Sequence, residues 1–464
     1  MQKTAPAERL IFGHPAGVTF LAFTETWERF SFYGMRALLV LYLAQHLLLP
    51  GNVEHVAGMA GFRAATEAIT GPLSTQAFAS QLFGLYSGLV YLTPIFGGII
   101  ADRWLGARTT VLLGIALMAG GHLLMALEST TLVALLLLIL GSGCLKGNVA
   151  AQVGHLYPRD EEERRSQGFT LFSTGINIGG AVGPLVCGAV AQIWGWHYGF
   201  ALAGVCMLLA ASVYLAGLRY FAPDKPRGRD AAATSALTSP ERQMVGMIMV
   251  IMLIGLGQSF AYDVLFNSGF IFLADRVDLT TAFGPVPEAW FASEDSLSSV
   301  LIVPVLIAVW NWQAKRGRSP SELDKIAVGG VFFALSALSL AVGDYLSGGG
   351  KVAVGWPIIA FGLSGIGFMY FWPTTLALIS RRSPVKVVSL MMAVIYCTNF
   401  VSGVFTGWLG KFYEVMPAWQ FWCGSAAMAI SSSVIIWLFG PALTRFMDRL
   451  GDRIADKSAQ GLHL

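Results

Sequence analysis

Residues Thr19 to Ala44 read TFLAFTETWERFSFYGMRALLVLYLA, an apolar stretch long enough as a helix to cross a bilayer at about 1.5 Å per residue. Within it Glu25, Glu28, Arg29, Tyr33 and Arg36 recur at spacings of three and four, which places them on one polar stripe of an α-helix. That stripe cannot face lipid. A charge at bilayer depth costs at least about 2.5–3.5 kcal/mol on insertion scales, so the four charges must pair with one another or line a wet cavity. Two carboxylates and two cations in one helix exceed what packing requires, and they mark a substrate or ion pathway.

The composition fits a membrane protein. Hydrophobic residues make up 55% of the 464 and charged residues only 12%, against about 25% charged in a soluble domain. The five cysteines, Cys144, Cys187, Cys206, Cys397 and Cys423, lie in apolar segments without metal-ligand spacing and read as packing residues. The first apolar helix is long, charged and without a small-residue cleavage site, so it is not expected to be a cleaved signal peptide.

Hydropathy and turn signals predict twelve membrane spans, at 17–47, 77–100, 108–127, 130–153, 168–192, 197–221, 243–273, 290–313, 325–346, 352–380, 385–410 and 418–443. With the N-terminus in the cytoplasm, 23 of the 30 Lys and Arg fall in cytoplasmic segments. They are Lys3, Arg9, Arg103, Arg108, Arg159, Arg164, Arg165, Arg219, Lys225, Arg227, Arg229, Arg242, Lys315, Arg316, Arg318, Lys325, Arg381, Arg382, Lys386, Arg445, Arg449, Arg453 and Lys457. The opposite side keeps Arg63, Arg276, Lys351 and Lys411, while Arg29, Arg36 and Lys146 lie inside spans. The asymmetry predicts both termini in the cytoplasm of a multi-pass protein. It also accounts for a pI near 8.5 without a nucleic-acid partner.

The longest cytoplasmic connection, FAPDKPRGRDAAATSALTSPERQ from Phe221, divides the spans six and six. The expected organisation is an N-terminal six-helix bundle at 1–221, a linker at 222–242 and a C-terminal bundle with a tail at 243–464. This all-α arrangement of two bundles on a loose tether is similar to the major facilitator fold, in which substrate binds between the halves. In GGIIADRWLGAR, between spans two and three, Asp102, Gly106 and Arg108 supply an acid at a helix end, a tight turn and a base. They resemble the loop motif of that superfamily.

A narrower resemblance rests on the first helix. Glu25-Thr-Trp-Glu28-Arg29-Phe30, followed by Tyr33-Gly34-Met35-Arg36, resembles the ExxERFxYYG motif of the proton-dependent oligopeptide transporter family. VYLTPIFGGIIADRWLGAR from Val90, GSGCLKGN from Gly141 and FSTGINIGG from Phe172 support it, and FWPTTLALISRRSP from Phe371 and MMAVIYCTNF from Met391 match more loosely. The resemblance implies a secondary transporter that imports di- and tripeptides with protons and needs no other cofactor. It assigns Glu25, Glu28 and Arg29 to proton coupling, and Tyr33, Arg36, Tyr91, Lys146 and Asn177 to the peptide site. Lys146 lies among Gly141, Gly143 and Gly147, too deep to snorkel, so it calls for an anion, either Glu28 or a substrate carboxylate. Asn177 can donate to and accept from a peptide amide, or alternatively bond a neighbouring helix.

Departures from the family pattern matter as much. Phe368 stands where the tenth span usually carries a Glu, the seventh-span acid position falls near Val264 and Leu265 with Asp263 displaced by one, and Phe32 replaces a usual tyrosine. In EAWFASEDSLSSVLIVP from Glu288, Asp295 occupies a position where Asn is usual, with Glu294 beside it. A zwitterionic peptide needs a receptor for its ammonium, and Asp295, Asp263 and Glu294 are the candidates. The competing reading of Glu294 and Asp295 is a solvated helix start. The seven histidines, His14, His46, His55, His122, His155, His197 and His463, are scattered and suggest no metal site. The expected protein is thus a proton-coupled peptide importer of a bacterial-type inner membrane, working as a monomer and not as an enzyme. The same fold carrying a non-peptide anion such as nitrate, or a modified amino acid, is the alternative.

Overall fold

A computed structural model describes residues 10–11, 13–158, 161–221, 237–282 and 284–461. Most of the expected linker (222–236), the cations Lys3, Arg9, Arg159, Lys225, Arg227 and Arg229 of the charge argument, and His463 lie outside the described residues.

The helices are α1 (Ala16–Tyr42), α2 (Met59–Thr70), α3 (Thr75–Ile100), α4 (Ala107–Leu124), α5 (Thr131–His155), α6 (Glu162–Trp194), α7 (Trp196–Gly217), α8 (Ser239–Phe266), α9 (Ser268–Arg276), α10 (Trp290–Lys315), α11 (Glu322–Leu346), α12 (Gly355–Arg382), α13 (Val388–Tyr413) and α14 (Ala418–Gly461). Among the described residues, eleven helical segments are long and apolar enough to cross a membrane, α8 and α9 counting as one. The charged stripe of α1 keeps it from counting with them, and at 27 residues it is long enough to be the twelfth. All twelve expected segments are therefore helical.

Two features were not foreseen. The helix α2, between the first two spans, is too short to cross a bilayer at 12 residues. There Arg63 donates to Glu67 at 2.9 Å and holds its carboxyl below the usual range. Three two-residue strand pairings join loop segments, the longest in sequence being Val277–Asp278 parallel to Val352–Ala353.

The helix ends follow from local chemistry. Ser74 caps α3 by accepting from the Ala77 amide at 3.1 Å, and Thr238 with Glu241 and Ser321 with Asp324 form capping boxes at α8 and α11. Prolines 94, 184, 304, 373 and 441 lie inside helices, as membrane helices tolerate.

The chain divides into two compact units. The first holds α1, α2, α4 to α7, the two ends of α3 and residues Pro287–Ser293; the second holds Ser80–Gly88 of α3, α8, α9, the rest of α10 and α11 to α14. In the first unit, Gly175, Gly179 and Gly183 of α6 abut the backbone of Ala22, Thr26 and Phe30 on α1. A side chain at any of the three would collide with that backbone. Gly175 and Gly179 of the FSTGINIGG stretch, with Gly183 beyond it, thus let α6 seat the charged helix. Gly97 of α3 and Gly143 of α5 make a similar close approach, which brings Tyr91 and Lys146 near one another. In the second unit Gly365 of α12 lies against the Asp295 backbone of α10, and Ser299 donates to the Gly365 carbonyl at 3.0 Å.

Candidate functional site

The stripe on α1 folds into a buried ion cluster. Arg29 Nε donates to Glu25 Oε1 at 2.7 Å and lies 3.1 Å from Glu28 Oε2, and the two carboxylates are 1% and 0% exposed. With both carboxyls ionised, the one guanidinium leaves the trio with a net negative charge. A proton taken up by either carboxyl cancels that charge and weakens its hold on Arg29. Arg36, two turns along the same helix, is also buried.

Lys146 has aromatic neighbours that its sequence context does not announce: Nζ lies 4.0 Å from the Phe32 ring centroid and 4.9 Å from that of Tyr91. A desolvated cation over a ring face gains about 2 kcal/mol or more, and the charge of Glu28 acts on it through space. Phe32, the departure from the usual tyrosine, supplies the nearer of the two ring faces. Tyr33 is half-buried with its ring 5.2 Å from that of Phe32. Asn177 stands exposed on α6 and makes no interhelical hydrogen bond among the described residues.

The loop motif forms as a turn. Asp102 lies in a π-helical turn, Ala101–Leu105, and Gly106 follows at φ 77°, a conformation that favours glycine. Arg108 donates to the Phe221 carbonyl, tying the start of α4 to the segment that follows α7.

In the second unit the three acids differ. Asp295 is 4% exposed and accepts from the Tyr262 hydroxyl at 3.2 Å, so the solvated helix-start reading does not hold for it. Asp263 accepts from Ser402 at 2.5 Å, and Glu294 is only partly exposed, facing Gly362. Tyr262 also stacks on Phe368, with centroids 5.3 Å apart, and Phe368 stacks on Trp372 at 6.4 Å. The position of the expected carboxylate is thus a ring, and the tyrosine beside it carries the polar contact across to Asp295.

Two groupings escaped the sequence reading. Tyr262 gave no motif signal. His46, Glu128 and His197 come from three separate segments, yet converge in the first unit, with His46 Nε2 2.7 Å and His197 Nε2 3.4 Å from the same Glu128 oxygen.

Comparison with known proteins agrees with this architecture. The POT family profile matches residues 108–240 and 231–421. The chain is 30% identical to a di-/tripeptide transporter of Lactococcus lactis subsp. cremoris, over 96% of this chain and 99% of that protein. It is 27% identical to the peptide transporter YePEPT of Yersinia enterocolitica, over 94% and 96% respectively. A crystal structure of a mutant peptide transporter POT in complex with alafosfalin superimposes with a TM-score of 0.83 at 26% identity, covering 95% of this chain and 97% of that one. The fold and its charged membrane site define a secondary transporter of the major facilitator class, a multi-pass membrane protein and not an enzyme. The chain belongs to the POT family.

Proposed function

We propose that this protein imports di- and tripeptides together with protons by alternating access. It resides in the plasma membrane of a bacterial-type cell, with both termini in the cytoplasm, and works as a monomer with protons as its coupling ion and no other cofactor. The observation that carries the reading is the buried Glu25–Arg29–Glu28 cluster in a membrane-spanning helix, close to the ring-held ammonium of Lys146. A carboxylate that must shed its charge to release Arg29 is a proton acceptor, and a buried cation held over two rings is a receptor for an anionic substrate end. Arg36 and Lys146 receive the peptide carboxylate, with Tyr33, Tyr91 and Asn177 positioning the backbone, and Asp295 receives the ammonium ahead of Asp263 and Glu294. The di-/tripeptide transporter of Lactococcus lactis supports the cargo assignment.

The Phe368 ring in place of a carboxylate favours a second reading, in which the cargo lacks a cationic end, such as nitrate, or is a modified amino acid. Uptake of labelled dialanine into proteoliposomes under an imposed pH gradient separates the two. Competition by unlabelled dipeptides at micromolar to millimolar concentration, and not by nitrate, supports the peptide reading. Competition by nitrate alone overturns it.

A further inference from the structure

We propose that His46, Glu128 and His197 form a binding site for a divalent transition metal of the zinc class, apart from the transport site.

The three side chains are held by different parts of the first unit. His46 lies in the five-residue π-turn Leu43–Leu47 that ends α1, Glu128 in the turn between α4 and α5, and His197 in the first turn of α7. Their donor atoms all lie within 4.8 Å of one another. A simple ion pair needs one imidazole, and His46 Nε2 at 2.7 Å from Glu128 Oε1 already supplies it. His197 nevertheless directs its own Nε2 to the same oxygen, at 3.4 Å. Two donors each about 2.0–2.1 Å from a tetrahedral zinc lie about 3.3 Å apart, so the second separation suits ligation and the first needs a small opening.

The rings and backbone are held in place. Tyr42 is fully buried and packs its ring 5.6 Å from His46, 6.0 Å from His197 and 5.0 Å from Phe200, an apolar floor beneath both imidazoles. The His46 carbonyl accepts from Asn52 Nδ2 at 2.9 Å, and Thr131 donates to the Glu128 carbonyl at 2.9 Å. Gly195, at φ 103°, makes the sharp turn that starts α7 two residues before His197. The outer edges of all three ligands remain open to solvent, with side-chain exposures of 33%, 28% and 37%. A metal can therefore enter without unfolding the bundle, and a fourth position is left for water.

Two imidazoles and one carboxylate select zinc-class ions over magnesium or calcium, which prefer all-oxygen shells. Bound metal would tie the end of α1 to the α4–α5 turn and to the start of α7. It would stabilise that part of the unit by mass action.

The test uses full-length protein without a histidine tag, stripped with EDTA, dialysed and titrated with zinc chloride by calorimetry. Zinc retained after desalting is counted by plasma mass spectrometry, and melting is followed with and without zinc. The expected result is about one zinc per chain, a melting temperature raised by zinc and not by magnesium, and affinity lower by at least about tenfold in His197→Ala and Glu128→Gln. His197→Cys, which retains a zinc ligand, should keep most of the binding, and dialanine uptake by the variants should persist. Should His197→Ala fail to fold, His197→Gln decides in the same titration. No zinc on the wild-type protein, or equal binding by the wild type and the variants, overturns the proposal.

Discussion

The ammonium of Lys146 lies 4.0 Å from the ring centroid of Phe32, one helix meeting another through a cation and a π face deep in the first unit. Phe32→Tyr keeps a ring face there, whereas Phe32→Leu removes it. The loss of a desolvated cation–π contact of about 2 kcal/mol predicts a roughly 30-fold weaker apparent affinity for dialanine in Phe32→Leu and near wild-type affinity in Phe32→Tyr. Competition for labelled dialanine uptake reads both. Equal behaviour of the two variants would show that the ring does not position the ammonium.

Arg36 and Lys146 are proposed to grip the peptide carboxylate. Arg36→Ala and Lys146→Ala are each expected to cost about 1.5–3 kcal/mol in peptide affinity or transport efficiency, the range for hydrogen bonds to charged groups. The losses should shrink for a C-terminally amidated peptide. Equal losses for amide and free acid would assign the two cations to gating.

Asp295 is buried and bonded to Tyr262, and it is proposed above to receive the peptide ammonium. Asp295→Asn should weaken a free dipeptide far more than its N-acetylated form, because only the free form leaves a desolvated charge unpaired. The two affinities, measured by competition for uptake, should therefore diverge. Parallel changes, or none, would leave the ammonium to Asp263 or Glu294.

The glycine seam between α6 and α1 predicts a stability effect. A side chain at Gly179 would meet the Thr26 carbonyl and Arg29 Cβ. Overpacking of this kind costs typically about 1–3 kcal/mol, so Gly179→Val should lower the melting temperature of the detergent-solubilised protein. Gly246, whose added Cβ would meet nothing within 4 Å, serves as a control as Gly246→Ala. A melting temperature unchanged by Gly179→Val would show that the helices separate there without penalty.

Much of this molecule is legible in one dimension. Apolar runs broken by turns and charge located all twelve spans, and the 3–4 spacing of Glu25, Glu28 and Arg29 anticipated the ion cluster, because both signals are local to a helix. What escaped depends on packing between distant segments. The rings over Lys146 come from α1 and α3, and no spacing within α5 announces them. Asp295 lies in the second turn of its helix, where sequence alone cannot separate solvent from a neighbouring tyrosine. His46 and Glu128 are 82 residues apart, so no motif could join them. The helix α2 was missed because twelve residues are too few to register as a span.

The central claim is that the Glu25–Arg29–Glu28 cluster couples peptide movement to protons. Proteoliposomes loaded with dialanine and diluted into labelled dialanine report exchange, while empty ones under an inward pH gradient report concentrative uptake. Wild-type protein should do both. Glu25→Gln and Glu28→Gln should each lose concentrative uptake and retain exchange, because the glutamine amide mimics the protonated carboxyl and can no longer cycle. Concentrative uptake at the wild-type level in both variants would contradict the account.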